Sequence, residues 1–247
     1  DMNESVRKDT GIKDAYLKIY PTSGYGNPDM IRHIISLENG VDAVLHYTDP
    51  RFWGWLYQME HELRRTTPIF YYNIWDDLPY PRWNEPFYES CDLIMNISKQ
   101  TVNIVDNVCQ IKPRTDWDNT YIPHGINENN FYPIDSSHKE WGDLLQFKRN
   151  VTNGKDYKYI VFWNNRNARR KQPATLIHIF NQFLQEVGKD KATLIMHTDP
   201  RDPNGPNLVA NINELGLTNG EVKFSTQKVD FSHLATMYNV DRKSTRL

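Results

Sequence analysis

Short apolar runs alternate with amphipathic stretches along nearly the whole of this 247-residue chain. The apolar runs predict strands at residues 16–20, 42–46, 68–72, 92–96, 120–122, 158–163, 192–197 and 222–224. The amphipathic stretches predict helices at residues 28–37, 52–65, 84–91, 99–110, 173–187, 206–215 and 230–239, and one more that begins at 135–137 and ends at 147. Ser98 is a typical N-cap, and proline suits the first turns at Pro28 and Pro173. Strict alternation favours parallel βαβ units and therefore the α/β class.

The alternation falls into two successive blocks that join near residue 130, and each block is long enough to form its own core. We therefore predict two domains, residues 1–130 and 131–240. The last seven residues, Asp241-Arg242-Lys243-Ser244-Thr245-Arg246-Leu247, resemble the translation of a widely used sequencing adapter. We expect residues 241–247 to be an adapter-derived tail and the chain to be a fragment truncated at both ends.

Composition excludes several kinds of partner. The chain has 29 Lys and Arg against 31 Asp and Glu, a net charge of -2, which disfavours binding to nucleic acid through bulk positive charge. The longest clear apolar run, residues 159–163, is far shorter than the ~18 residues of a membrane span. There is no signal-peptide pattern, and two cysteines are too few for a disulfide framework. These features predict a cytoplasmic protein with no membrane span and no nucleic-acid partner.

Four cations crowd the segment between the predicted strand 158–163 and the helix that Pro173 opens: Arg166, Arg169, Arg170 and Lys171. Ligands of open α/β sheets bind beyond the carboxyl ends of the strands, and a helix N-terminus there favours an anion. Arginine offers a planar fork to phosphate oxygens, while lysine supplies a compact charge. The segment therefore indicates a diphosphate site. The alternatives are a solvated charged turn and a nucleic-acid patch, and the acidic balance of the chain weakens the second.

The segment Ile122-Pro123-His124-Gly125-Ile126-Asn127, followed by Phe131-Tyr132-Pro133, resembles the interdomain segment of retaining glycosyltransferases of family 4. About 40 residues further on, that family has a strand followed by an arginine and, five positions later, a lysine. Arg166 and Lys171 match this spacing. The resemblance implies a GT-B fold: two Rossmann-like domains with parallel sheets flanked by helices. The nucleotide sugar would bind to the C-terminal domain and the acceptor, a glycan or another hydroxyl compound, to the N-terminal one.

By the same resemblance, Arg166 and Lys171 hold the donor diphosphate, with Arg170 as a rival for the lysine role, and the His124-Gly125 turn lies beside the cleft. The resemblance also implies transfer with retention, with no metal or other cofactor, because cationic side chains stabilise the leaving group. The paired glutamates of the family and its glycine-rich first loop are absent from this sequence. The catalytic residue is therefore left open, and we expect this fragment alone to be inactive.

A proline-rich loop after the predicted strand 68–72 supplies candidate acceptor contacts at Asp76, Asp77 and Trp83, against the alternative that they are solvent-exposed loop residues. Two other functions remain open. One is a non-catalytic Rossmann-like module that binds a phosphorylated ligand or a protein. The other is a glycosidase, which would need two carboxylates facing each other across a cleft.

Overall fold

The computed structural model describes residues 2–38, 40–109 and 118–240; the predicted adapter tail, residues 241–247, lies outside them. The chain divides between Gly125 and Ile126 into two compact units, called unit 1 and unit 2 below. Each unit contains one parallel sheet with helices packed against it. The predicted α/β class, with parallel sheets flanked by helices, is confirmed.

Unit 1 contains six α-helices and four strands among the described residues. The helices are α1 Met2–Thr10, α2 Pro28–Leu37, α3 Gly54–Gln58, α4 Glu60–Leu63, α5 Glu85–Glu89 and α6 Lys99–Val108. The strands are β1 Val44–Tyr47, β2 Ile69–Asn73, β3 Leu93–Asn96 and β4 Asp118–Tyr121. They lie side by side in the order β1-β2-β3-β4 and are all parallel, with Tyr47 opposite Tyr72 in the register.

The two faces of the unit 1 sheet are covered unequally. Helices α3, α4 and α6 pack on one face, against strand residues such as Ile69, Tyr71 and Ile94, which are at most 1% exposed. Side chains of the opposite face alternate with these, and two of them, Leu45 and Tyr47, are 59% and 54% exposed. The strand order explains this difference. Each strand of the sheet lies beside the one before it, always on the same side, and right-handed crossovers of this kind place all the connecting helices on one face.

Unit 2 contains four α-helices and three strands among the described residues. The helices are α7 Trp141–Thr152, α8 Pro173–Val187, α9 Leu208–Glu214 and α10 Phe231–Val240. The strands are β5 Tyr159–Asn164, β6 Ala192–His197 and β7 Val222–Ser225, which form a parallel sheet in the order β5-β6-β7.

Both faces of the unit 2 sheet are covered. Alternate residues of β5, such as Val161 and Trp163, pack with α8 and α9. The residues between them, Ile160 and Phe162, pack on the other face, in a cluster that contains Leu144 of α7 and Val240 of α10. Strand β5 therefore has helices packed against both of its faces.

Three predicted elements need correction. Residues 16–20 form no strand, because alternating apolar residues without a neighbouring strand remain exposed: Tyr16 and Ile19 are 60% and 64% exposed. The helix predicted at 52–65 is split, because a 3-10 turn, Pro50–Trp53, precedes α3 and the backbone of Met59 leaves helical geometry between α3 and α4. The helix expected from 135–137 begins only at residue 141.

Candidate functional site

The connection from β5 to α8 holds the predicted diphosphate site, and we call residues 165–172 the basic turn. Arg169–Lys171 form a single 3-10 turn, and Gln172 adopts a left-handed conformation with φ of 55°. Pro173 then occupies the first turn of α8. The unpaired backbone N–H groups at the start of this 15-residue helix therefore lie at the end of the basic turn and give it positive character.

All four cations of the basic turn are exposed, but only one of them is in an ion pair within the described part of the chain. The Nε of Arg166 donates to Oδ2 of Asp202 at 2.7 Å, and its Nη2 donates to Oδ1 at 3.3 Å. The same carboxylate accepts from the backbone and side-chain nitrogens of Asn204, both at 2.9 Å. Arg166 and Asn204 hold the pKa of Asp202 well below its usual range, and Asp202 raises the pKa of Arg166. Arg169–Lys171 have no ion-pair partner among residues 2–38, 40–109 and 118–240.

The base of the basic turn is packed tightly against the loop that follows β6. Asn167 is 0% exposed, and its Nδ2 donates to the carbonyl oxygen of Pro206 at 3.0 Å. A Cβ built on Gly205 would lie 2.2 Å from Oδ1 of Asn167 and 2.4 Å from its backbone oxygen. The backbone N–H of Arg169 donates to the carbonyl of Asn204 at 3.3 Å. These contacts fix the two loops to each other beneath the exposed cations.

The strand that carries the basic turn has helices on opposite faces at its carboxyl end. Helix α8 follows β5 on one face, whereas α10 packs on the other, where Nδ2 of Asn164 donates to the hydroxyl of Tyr238 at 3.1 Å. In open α/β sheets the ligand crevice lies at the strand where the flanking helices change face. The topology therefore favours the carboxyl end of β5 as a ligand site.

The carboxyl ends of β6 and β7 add polar groups that the sequence analysis missed. Nδ1 of His197 lies 3.0 Å from Oγ of Ser225. Thr198 is 8% exposed, and its Oγ1 has no hydrogen-bond partner in the described part of the chain. The sequence signal that could have identified these groups is the polar residue at the end of each of two buried apolar runs.

In unit 1, His124 lies at the carboxyl edge of the sheet and is exposed. Its Nδ1 is 3.0 Å from the hydroxyl of Tyr72, and the two rings stack with centroids 5.3 Å apart. A Cβ built on Gly125 would meet nothing within 4 Å, so packing does not require glycine there. That His124 and Gly125 lie beside a cleft stays a prediction.

The candidate acceptor residues lie around Trp75 in the loop after β2. Nε1 of Trp75 donates to the backbone oxygen of Asp77 at 2.9 Å, and its ring meets that of Trp83 edge-on at 6.0 Å. Trp83 is 53% exposed, and Asp76 and Asp77 are exposed as well. The structure therefore brings Asp77 and Trp83 to one aromatic residue, while Asp76 accepts from Gln100 through its backbone oxygen at 3.4 Å.

Among residues 2–38, 40–109 and 118–240, no group of three or more His, Cys, Asp and Glu side chains is arranged to hold a metal ion. Across the same residues, no helix has the length and apolar character needed to cross a membrane.

The two parallel α/β sheets are those of the GT-B fold, and solved structures with this architecture resemble the chain. An alpha,alpha-trehalose 6-phosphate synthase from Burkholderia multivorans matches with a TM-score of 0.63 and 11% identity, over 86% of this chain and 52% of that one. A glycosyltransferase from Rickettsia africae matches with a TM-score of 0.63 and 16% identity, over 96% and 60%.

A third structure is a UDP-forming alpha,alpha-trehalose-phosphate synthase from Burkholderia xenovorans in complex with glucose-6-phosphate. It matches with a TM-score of 0.55 and 11% identity, over 81% of this chain and 51% of that one. The chain thus spans between half and three fifths of the length of these structures. No protein-family model and no curated protein sequence matches the chain.

Proposed function

We propose that the chain belongs to a family 4-like glycosyltransferase, which transfers a sugar from a nucleotide-diphosphate donor to an acceptor hydroxyl with retention of anomeric configuration. The observation that carries the proposal is the basic turn, with its exposed cations, at the carboxyl end of a strand flanked by α8 on one face and α10 on the other. The GT-B fold supports it, and so do the solved structures that the chain resembles, which are a glycosyltransferase and two trehalose-phosphate synthases.

Arg166, Arg170 and Lys171 bind the donor diphosphate in this proposal. Arg166 is held in place by Asp202 and presents a fixed fork, whereas Arg170 and Lys171 are exposed side chains that reach the phosphates from the turn. As the bond between the anomeric carbon and the phosphate oxygen breaks, negative charge grows on the diphosphate. Preorganised cations stabilise that charge more in the transition state than in the ground state, which is what accelerates the reaction.

Retention follows if the acceptor hydroxyl attacks from the same face that the diphosphate leaves. Its oxygen then forms the new bond to the anomeric carbon, and its proton passes to an oxygen of the departing phosphate. In this proposal the protein needs no metal ion, because guanidinium and ammonium groups carry the charge stabilisation. The acceptor lies against unit 1, where His124, Gly125, Asp76, Asp77 and Trp83 are the candidate contacts.

The location of the protein is part of the proposal. Two cysteines in 247 residues are too few for a disulfide framework, so we place the protein in the cytoplasm.

Calorimetric titration with UDP and GDP tests the proposed donor site. Replacing a charge-assisted phosphate contact costs tenfold or more in affinity, so Arg166→Ala should weaken nucleotide binding by at least that factor. Lys158→Ala is the matched control, because Lys158 is an exposed cation that directly precedes the same strand at its opposite edge. Comparison of the nucleotide affinities of Arg170→Ala and Lys171→Ala shows which of the two side chains holds the diphosphate.

Two results would refute the proposal: neither UDP nor GDP binds, or Arg166→Ala and Lys158→Ala bind them equally. Inorganic pyrophosphate serves as a second probe. If pyrophosphate binds as tightly as UDP, the nucleoside contributes nothing, and the non-catalytic phosphate-binding module becomes the better description.

A further inference from the structure

The carboxyl edge of the unit 1 sheet holds an aromatic cluster that contains His124, one of the proposed acceptor contacts, and two tyrosines that have no role in the proposed function. Tyr47 ends β1 and Tyr72 lies opposite it in β2, both on the less covered face of the sheet. Their ring centroids are 5.6 Å apart. His124 stacks on Tyr72 with an angle of 18° between the rings and meets Tyr47 edge-on at 6.4 Å. Three rings thus form one small surface, whose outer member Tyr47 is 54% exposed.

Hydrogen bonding favours one tautomer of the imidazole in this cluster. The hydroxyl of Tyr72 donates to the carbonyl oxygen of Ile122 at 2.9 Å and lies 3.0 Å from Nδ1 of His124. A hydroxyl has a single proton, so when it donates to Ile122 it can only accept from His124. In the neutral ring Nδ1 then carries the proton, and Nε2 is a hydrogen-bond acceptor. Partial burial raises the pKa of Tyr72, as do the neighbouring Tyr47 and Tyr121, so its hydroxyl keeps the proton.

The charge near this edge disfavours an anionic ligand. Asp76 and Asp77 follow β2 within four residues, are exposed, and form no ion pair within the described part of the chain. The carboxylate of Asp49, which follows β1, is neutralised by Arg51. Within the described residues no lysine or arginine makes a cation–π contact with Tyr47, Tyr72 or His124, so the rings offer a phosphorylated ligand no adjacent positive charge, whereas an uncharged ligand with hydroxyl groups needs none.

We propose that Tyr47, Tyr72 and His124 form a subsite for the ring of an uncharged sugar, which, if the proposed function holds, is the acceptor. The C–H face of a pyranose packs on the tyrosine rings, and one sugar hydroxyl donates to Nε2 of His124. Aromatic surfaces with a few placed polar groups are how proteins bind small ligands of mixed character.

Saturation-transfer NMR on the full chain tests the subsite, with methyl α-D-glucopyranoside and glucose 6-phosphate as separate probes. We expect transfer from the protein to the ring protons of the methyl glucoside. Tyr47→Ala should weaken its binding about two- to tenfold, the range for loss of one aromatic contact. Tyr16→Ala is the control, because Tyr16 is also an exposed tyrosine of unit 1, 60% exposed, but lies outside the sheet. It should bind as the unchanged chain does.

Tyr72→Phe keeps the ring and removes only the hydroxyl. Nitrogen-15 NMR of His124 should show the proton on Nδ1 in the unchanged chain and a mixture of tautomers in this variant, with weaker sugar binding. The proposal is overturned by absent transfer to methyl glucoside, by equal loss in Tyr16→Ala, or by tighter binding of glucose 6-phosphate. A parallel UDP titration keeps the two proposals apart: if the unchanged chain binds UDP but not methyl glucoside, the subsite alone is rejected.

Discussion

Replacement of Gly205 by alanine probes whether the two loops beneath the basic turn are locked together. The added Cβ would lie 2.2 Å from Oδ1 and 2.4 Å from the backbone oxygen of Asn167, distances that real Cβ atoms do not show. Asn167 is 0% exposed and its Nδ2 is bonded to Pro206, so neither atom can simply rotate away. The backbone of one loop must therefore move. Arg166 is affected in either case, because it directly precedes Asn167 in one loop and its side chain bonds to Asp202 in the other.

Overpacking of this kind costs ~1–3 kcal/mol of unfolding free energy. Gly142→Ala is the matched control, because Gly142 is the second residue of α7 and a Cβ there meets nothing within 4 Å. That change should leave the stability almost unchanged, because the penalty of glycine applies mainly to the middle of a helix. The two variants should thus differ by ~1–3 kcal/mol in urea denaturation followed by circular dichroism.

Titration with UDP completes the experiment. Gly205→Ala should bind UDP more weakly than the unchanged chain, because the loop movement displaces the guanidinium of Arg166, while Gly142→Ala should bind UDP normally. If the two alanine variants unfold at the same urea concentration, the loops are not packed as described, and the reasoning that links their packing to the site fails.

Three further predictions concern stability and cofactor dependence. Burial lowers the pKa of His46 from 6.5 to about 4, so the unfolded chain binds a proton more readily than the folded one, and about 3 kcal/mol of stability should be lost as the pH falls from 6.5 to 4. Urea titrations at several pH values should show a smaller loss of stability in His46→Gln than in the unchanged chain. Equal losses in the two proteins would contradict this. Ser98→Ala removes the cap that accepts from the backbone N–H of Thr101 at 3.0 Å and should cost ~1 kcal/mol in the same assay, with Ser36→Ala, in the last turn of α2, as a nearly neutral comparison. Removal of divalent ions with EDTA should leave UDP affinity unchanged, since cationic side chains bind the diphosphate; an affinity that needs added Mg²⁺ would argue against that role.

Elements with strong local signals were predictable from the sequence. Helices 28–37 and 173–187 have the predicted bounds, because a proline at the first turn marks the start of each. Strand 192–197 also has the predicted bounds, since five of its six residues are buried and four of those five are apolar. Residues 16–20 show the limit: their alternation is typical of a strand, but a strand also needs a neighbour to bond to, and no local pattern specifies one.

The candidate sites show the same division between local and distant information. Arg166, Arg170 and Lys171 lie in one turn, so their proximity could be predicted from spacing alone. The partner of Arg166 is 36 residues away, and the hydroxyl that contacts His124 is 52 residues away. Asp202 and Tyr72 acquire these roles only because parallel strands bring their carboxyl ends to one edge, and the sequence contains no signal for which of the loop residues will meet.

The ion pair between Arg166 and Asp202 bears directly on how the basic turn would hold a diphosphate. Four cations and one carboxylate leave a net charge of +3 at this edge, so the turn still attracts an anion. The carboxylate occupies the N–H of Nε and one N–H of Nη2, which leaves both N–H groups of Nη1 and the second N–H of Nη2 for a ligand among the contacts of the described residues. A guanidinium held in this way loses less conformational freedom when it binds phosphate than one that is free to rotate. The negative charge of Asp202 therefore weakens the attraction for the donor, but its hydrogen bonds fix the direction in which Arg166 meets the phosphate. Arg170 and Lys171 supply positive charge without fixed geometry.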